Sequence, residues 1–428
     1  MAEMKMLRVL GGIGVLLATT MAGTSLLDLK PQRKMVLFRI QIILIFFMLM
    51  CAVTRFVWIN LTVLLPSRRT DSKTLLVVHW LSYAFLVIIV ALSFFSIPVS
   101  RLSIGREPFF ITRVAFTCLG LVILLFFNLC FLSAIFTILW FFKCRFPNAN
   151  KWKAVLASAV SIFLCIHGLS AASKGPSVVG ETIPLAKLPP SFYGTTIVQL
   201  SDIHLGPMVG SADLERVVNR VLMIKPDIVV ITGDLVDSTV EKLKQVVLPL
   251  KKLSSRYGVF FVTGNHEYFT GDAEAWLHEL KKFGIHPLHN SHVLIRSPTN
   301  PEDKIYLAGV DDVEADRLSY EDHGMKLSKA LSGKSAKYPT ILLAHQPKAA
   351  QQALNQFSDI DLILSGHTHG GQFFPMHIPI YLFNPFFAGL YKHKETYVYV
   401  SSGTYFYGIP LRIGSTPEIT ILTLVQKQ

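Results

Sequence analysis

The 428-residue chain is 51% hydrophobic, with a mean hydropathy of +0.46. This is too apolar for an ordinary soluble protein, so part of the chain is expected to lie in lipid. Residues 1–174 hold 18 of the 41 lysines and arginines but only 4 of the 28 acidic residues, so the net charge of +13 belongs to this first half. The nearly neutral second half has no basic run, and no nucleic-acid partner is expected.

Five apolar stretches in the first half are predicted to span a membrane. A helix needs about 20 apolar residues to cross the hydrocarbon core, and the candidates are residues 7–27, 40–65, 75–99, 114–142 and 154–173. Within 7–27 the apolar run Leu10–Leu27 follows Lys5 and Arg8 and is alternatively a signal peptide, which leaves four spans. The expected protein is multi-pass, with the lipid bilayer as a partner and anchoring as the role of the helices. Basic residues are similar in number on both sides, so the orientation is not predicted.

Residues 174–190 are predicted as a linker between this transmembrane region, residues 1–173, and a second domain, residues 191–428. The segment is rich in residues that break helices: Gly175, Pro176, Gly180, Pro184, Pro189 and Pro190. Every cysteine precedes it, at Cys51, Cys118, Cys130, Cys144 and Cys165. The second domain therefore contains neither a disulfide nor a thiolate zinc site.

Short apolar runs alternate with amphipathic stretches through the second domain. The predicted strands are 196–200, 227–232, 259–263, 305–310, 340–344, 361–365, 396–401 and 418–425, and the predicted helices are 212–223, 241–253 and 273–283. This alternation favours an α/β fold, and the closely spaced late strands favour mixed pairing.

Side chains that can bind metals follow five of these strands, where α/β folds collect ligands. They are Asp202 and His204 after the first strand, Asp234 after the second, Asn265 and His266 after the third, then His345, and finally His367 and His369. Imidazole combined with carboxylate and amide favours Mn, Fe, Zn or Co over calcium. Two divalent cations sharing one carboxylate can clamp the attacking and leaving oxygens of a phosphoryl displacement. No Ser or Cys occurs in a nucleophile motif, so metal-bound hydroxide is the expected nucleophile.

These motifs carry a family resemblance. Asp-x-His, Gly-Asp, Gly-Asn-His-Glu, a lone His and Gly-His-x-His occur in that order at residues 202–204, 233–234, 264–267, 345 and 366–369. In them the sequence resembles the calcineurin-like metallophosphoesterase superfamily, from roughly Leu188 to Leu424. The segments 188–190, 201–207, 407–412 and 417–419 resemble its membrane-tethered subgroup, which includes bacterial phosphoesterases that attack lipid-linked phosphates.

The resemblance implies a fold and a role for each motif residue. The expected fold is a multi-span α-helical membrane domain followed by a four-layer α/β/β/α metallophosphoesterase sandwich. One metal is expected on Asp202, His204 and His369, the other on Asn265, His345 and His367, with Asp234 bridging both. His266 is expected to protonate the leaving oxygen or to stabilise the pentacovalent phosphate.

The remaining conspicuous residues receive ordinary interpretations. The acidic group Asp311, Asp312, Glu314 and Asp316 is predicted to be a solvated turn. Seven histidines are predicted to be structural or at the surface: His278, His286, His289, His292, His323, His377 and His393. The aromatic stretch Phe373–Tyr391 is predicted to pack in the core, or alternatively to form a lip on the bilayer. Arg412 is left open between a substrate phosphate and a pair with Glu418.

Three functions stay open on the sequence alone. The favoured one is a membrane-anchored, dinuclear-metal hydrolase of phosphate mono-, di- or pyrophosphate esters, with lipid-linked substrates as one option. The alternatives are a phosphoprotein phosphatase and a membrane scaffold whose metal site only stabilises the fold.

Overall fold

The computed structural model describes residues 2–26, 31–67, 72–107, 109–144 and 146–427. The chain divides into two compact units. One is helical and consists mainly of residues before 170, and the other is an α/β unit that consists mainly of residues from 170 onward.

The helical unit contains α1 (Ala2–Leu26), α2 (Pro31–Leu61), α3 (Lys73–Ser103), α4 (Phe110–Phe141) and α5 (Ala149–Ser173). Among the described residues, four segments are long and apolar enough to cross a membrane: Arg39–Leu64, Lys73–Ser103, Phe110–Phe141 and Ala149–Ser173. These segments contain most or all of the predicted spans 40–65, 75–99, 114–142 and 154–173. The predicted span 7–27 falls on α1, whose apolar part Gly11–Gly23 is shorter, and its last residue, Leu27, lies outside the described residues. The choice between four and five spans stays a prediction.

Two six-stranded sheets form the centre of the α/β unit. In chain order the strands are β1 (Ser177–Leu185), β2 (Thr196–Leu200), β3 (Ile228–Thr232), β4 (Val259–Val262), β5 (Ile285–Pro287), β6 (Ser291–Arg296), β7 (Lys304–Gly309), β8 (Thr340–Leu343), β9 (Leu362–Ser365), β10 (Gly389–His393), β11 (Thr396–Val400) and β12 (Glu418–Gln426). The first sheet has the order β1-β12-β2-β3-β4-β5 and the second β10-β11-β9-β8-β7-β6. Both contain parallel and antiparallel pairs, as the late strand spacing predicted.

The helices of this unit are α6 (Ser211–Ile224), α7 (Val240–Leu243), α8 (Asn265–Thr270), α9 (Ala273–Lys282), α10 (Glu314–Arg317), α11 (Leu327–Ala330), α12 (Pro347–Gln356) and α13 (His377–Phe383). One apolar core joins the facing sheets, with Ile197 and Val230 from the first and Leu307 and Leu364 from the second. A separate core packs α11 and α12 on the outer face of the second sheet. The α/β/β/α sandwich expected from the resemblance is therefore present.

The linker predicted at residues 174–190 is wrong for most of its length, because residues 177–185 form β1. This strand runs parallel to β12 over nine residue pairs, from Ser177 with Glu418 to Leu185 with Gln426. Its glycine and proline content hid it, but β1 lies at the sheet edge, where a proline such as Pro184 is tolerated. The predicted helix 241–253 is also split, into α7 and a 3₁₀ helix Leu248–Lys252 that has Pro249 in its first turn.

The aromatic stretch after the last metal motif packs only partly in the core. Phe373 is buried, but Phe374, Tyr381 and Phe383 are 54%, 67% and 74% exposed. The last two belong to α13, which has no buried residue along its length. Core packing is therefore wrong for this helix.

Candidate dinuclear metal centre

All seven predicted ligands lie just beyond carboxyl ends of strands. Asp202 and His204 follow β2, Asp234 follows β3, Asn265 begins α8 after β4, His345 follows β8, and His367 and His369 follow β9. Strands β2, β3 and β4 are parallel neighbours, and so are β8 and β9. The ends of the two sheets consequently present their loops to one place.

Several of these residues have an unusual backbone conformation. Positive φ angles between 50° and 71° occur at five of the seven: Asp202, His204, Asp234, His367 and His369. Residues with a side chain rarely adopt this region, and such strain concentrates at functional sites. The unusual backbone conformations therefore coincide with predicted ligands.

Glycines next to the ligands make this close approach possible. A Cβ on Gly264 would collide with the Asp234 carboxylate, and one on Gly366 would collide with the Asp202 carboxylate. Gly233 has φ of 89° and lies against the backbone of Gly264. Gly264 and Gly366 therefore provide space for carboxylates supplied by other strand ends.

The first predicted ligand group is compact and buried. Asp202, His204 and His369 place ligand atoms within 4.8 Å of one another. His204 Nε2 lies 3.1 Å from His369 Nε2, and His369 Nε2 lies 3.5 Å from Asp202 Oδ1. Two imidazole nitrogens that face each other beside a carboxylate match the donor set of a transition-metal ion.

The second group lies beside the first. His345 Nε2 is 3.2 Å from Asn265 Oδ1, and Asp234, His345 and His367 again place ligand atoms within 4.8 Å. The two groups share one oxygen, because Asp234 Oδ2 is 3.3 Å from His345 Nε2 and 3.8 Å from His204 Nε2. This is the position expected of a bridging carboxylate.

The charges around these residues also fit cations. Burial lowers the pKa of His345, but the carboxylates of Asp234 and Asp202 raise it well above the ordinary value. Burial lowers the pKa of His367 to about 3 and holds the pKa of His369 well below its ordinary value, which favours the neutral imidazole that binds metals. Divalent cations would neutralise the buried carboxylates that otherwise favour a proton on His345.

His266 is bonded to a residue that the sequence analysis did not single out. His266 Nδ1 lies 2.9 Å from Asp237 Oδ1, and His204 Nδ1 lies 2.8 Å from the same oxygen. Burial lowers the pKa of His266, but Asp234 and Asp237 raise it to about 9 overall. One carboxylate thus orients a predicted ligand and the predicted acid. His266 also groups with His204 and Asp234 as a candidate ligand, so its place outside the coordination sphere stays a prediction.

Two further buried residues hold the loops of the site in place. Glu267 accepts N–H bonds from Gly264, Asp234 and Leu235 at 2.6, 3.0 and 2.8 Å. Arg412 is 1% exposed and donates to the carbonyls of His369 and Ser402 at 2.7 and 2.9 Å. It therefore supports the His369 turn, a role that neither alternative from the sequence had included.

Tyr407 lies at the mouth of the site. Its ring is 50% exposed, and its centroid lies 4.8 Å from that of His204 and 4.6 Å from that of His266. The tail motif that contains it predicted family membership but not this contact.

The predicted solvated turn is wrong for Asp311 and Asp312, which are 2% and 1% exposed. Asp312 Oδ1 accepts from Gln346 Nε2 at 2.9 Å, and Asp311 contacts His289 and His323. Glu314 and Asp316 both belong to α10, where Glu314 is half-buried and Asp316 is exposed. His278 and His286 are exposed, as predicted.

Comparisons with known proteins agree with this geometry. Residues 195–371 match the calcineurin-like phosphoesterase family. The chain is similar to the transmembrane protein with metallophosphoesterase domain of Danio rerio, with 47% identity over 331 residues and 76% of each chain. The Bos taurus protein of the same name is 47% identical over 334 residues, covering 75% of each chain.

A more distant relative matches a shorter part of the chain. An uncharacterized metallophosphoesterase of Helicobacter pylori is 40% identical over 232 residues, which are 54% of this chain and 60% of that one. The chain therefore belongs to the family of transmembrane proteins with a calcineurin-like metallophosphoesterase domain, and it is a metal-dependent phosphoric ester hydrolase.

Proposed function

We propose that the protein is a multi-pass membrane phosphoesterase that uses two divalent cations to hydrolyse phosphate mono-, di- or pyrophosphate esters carried by lipids. The observation that carries the two-cation assignment is the position of Asp234 Oδ2 between His345 Nε2 and His204 Nε2. Asp202, His204 and His369 would hold one cation, and Asn265, His345 and His367 would hold the other. When bound, the two cations supply positive charge for the phosphate oxygens and lower the pKa of a coordinated water.

Asp237 determines where the protons lie on His266 and His204. The Asp237 carboxylate accepts a hydrogen bond from His266 Nδ1 and thereby favours the imidazolium form of His266. His266 can then give a proton to the leaving oxygen from its other nitrogen, Nε2. The second bond of Asp237 fixes the Nδ1–H tautomer of His204 and leaves its Nε2 as a metal donor. The two histidines are thereby assigned different roles by one carboxylate.

The surface beside the site supports a lipid-linked substrate. Helix α13 begins six residues after Gly371, and Gly371 packs against His377 at the start of that helix. Ile378, Leu382 and Phe383 are 55%, 69% and 74% exposed. Exposed apolar side chains of this kind favour contact with an acyl-chain surface. The substrate phosphate would then reach the centre from a membrane.

The test compares soluble and lipid esters with the full chain in detergent micelles or vesicles. We expect turnover of bis-p-nitrophenyl phosphate with Mn²⁺, and faster turnover of a phospholipid-type ester at equal phosphate concentration. Replacing Leu382 and Phe383 by serine should slow turnover of the lipid ester by about 10²-fold or more, because about 1.5–3 kcal/mol of burial is lost per side chain and each 1.4 kcal/mol is a factor of ten. Equal slowing of the soluble ester, or preference for a phosphopeptide, would contradict the lipid assignment.

A further inference from the structure

A second cluster of metal-binding side chains lies outside the dinuclear centre. His289 follows β5, Asp311 follows β7, and His323 lies in the loop before α11. We propose that these three residues form a separate binding site for one divalent cation of the zinc class. This proposal does not depend on the proposed phosphoesterase substrate.

The three side chains converge on one point. His289 Nδ1 lies 2.8 Å from the Asp311 carboxylate, and His323 Nδ1 lies 3.4 Å from Asp311 Oδ2. The two imidazole centroids are 4.6 Å apart, and the ligand atoms of all three residues are within 4.8 Å of one another. These separations resemble those within the two groups of the dinuclear centre, where His369 Nε2 and Asp202 Oδ1 are 3.5 Å apart.

Partners behind the cluster orient its side chains. Asn290 Nδ2 donates to Asp311 Oδ2 at 3.0 Å, and the backbone N–H of Asp311 donates to Asn290 Oδ1 at 3.3 Å. His323 Nε2 lies 3.3 Å from Glu274 Oε2. Histidines that bind metals commonly direct the other ring nitrogen at a carboxylate or carbonyl oxygen. The Glu274 contact therefore leaves His323 Nδ1 as the nitrogen for a cation.

The donor chemistry selects the class of ion. Two imidazoles with one carboxylate match a three-ligand zinc site, whereas calcium takes oxygen donors. The Asp311 and His323 side chains are 1% and 6% exposed, but that of His289 is 31% exposed. The site thus has buried donors on one side and an open side for entry and for a water as fourth ligand.

The His323 ring also contacts the helix that begins with Asn265 and His266. Tyr268 belongs to α8, the helix that begins with Asn265 and His266, and its hydroxyl lies 3.0 Å from His323 Nδ1. Without a cation, the two ring nitrogens of His323 both face oxygens, and the Asp311 contact requires a proton on Nδ1. A bound ion would take the place of that proton and of the Tyr268 contact at Nδ1, and it would join the three chain segments that carry its ligands.

The experiment uses the full chain in detergent, loaded with Co²⁺. In His289→Cys a thiolate becomes available at the site, and we expect a thiolate-to-cobalt charge-transfer absorption. The matched control is His286→Cys, three residues earlier on an exposed position of β5, which should show no such band. Absence of the band in His289→Cys would overturn the proposal.

Metal analysis provides the second measurement. His323→Gln should bind about one cation fewer per chain than wild type, and Asp234→Asn should keep that cation while losing those of the dinuclear centre. Equal metal content in His323→Gln and wild type would also overturn the third site. A wild-type chain that binds one cation more than His323→Gln, yet hydrolyses no phosphate ester, would instead refute only the proposed function.

Discussion

Replacing His266 by glutamine separates catalysis from metal binding. His266 Nδ1 is 2.9 Å from Asp237 Oδ1, and its backbone N–H donates to Asp234 Oδ1 at 2.8 Å. Glutamine keeps the backbone bond and similar volume but cannot transfer a proton. We therefore expect both cations and the fold to be retained.

The expected loss is in kcat. A general acid or a charge stabiliser typically contributes about 10²–10⁴-fold in rate, which corresponds to about 2.7–5.4 kcal/mol of barrier. The loss should be largest for an alkyl phosphodiester and smaller for a p-nitrophenyl ester, because p-nitrophenolate departs with little protonation. Paired kcat measurements on the two esters, with metal analysis of the same samples, test this.

Two results would refute the reasoning on His266. An equal loss on both esters would remove the leaving-group role and leave only stabilisation of transition-state charge. Loss of a cation in His266→Gln would make His266 a ligand, in agreement with its grouping with His204 and Asp234.

Two further predictions concern the edge strand β1 and the Asp237 carboxylate, which contacts both His204 and His266. A chain beginning at Pro176 should fold without the helical unit. A chain beginning at Ser191 should be less stable by about 3–6 kcal/mol, because it lacks the core residues Ile183 and Leu185. Equal thermal midpoints of the two chains by circular dichroism would refute this. Asp237→Asn should retain the cations but lower kcat by about 10²-fold, and an unchanged kcat would show that the bond to His266 has no catalytic role.

The predicted metal residues could be identified from the sequence because their signals are local. Each ligand lies within a few residues of a buried strand end, and several stand next to a glycine, as in Gly233-Asp234 and Gly366-His367. The parallel order of strands then brings the ends together. Their proximity follows from the fold, although their binding of cations stays a prediction.

Features that depend on distant partners were not predictable. Strand β1 pairs with β12, about 240 residues later, and its own glycines and prolines resemble a linker. Asp237 gains its importance from His204 and His266, which come from different strand ends. The available signal was its spacing, three residues after Asp234. Likewise, Asp311 is buried by His289, Asn290 and His323, which are distant from it in sequence. Its neighbours in sequence are acidic, and they suggested a solvated turn instead.

The most direct test of the account is the metal content and activity of Asp234→Asn. Asp234 is the only residue assigned to both cations, and its charge offsets their mutual repulsion. The account predicts about two fewer cations per chain than in wild type and loss of phosphodiester hydrolysis, measured on the same detergent-purified samples. An Asp234→Asn protein with unchanged metal content and undiminished hydrolysis would contradict the bridged dinuclear centre.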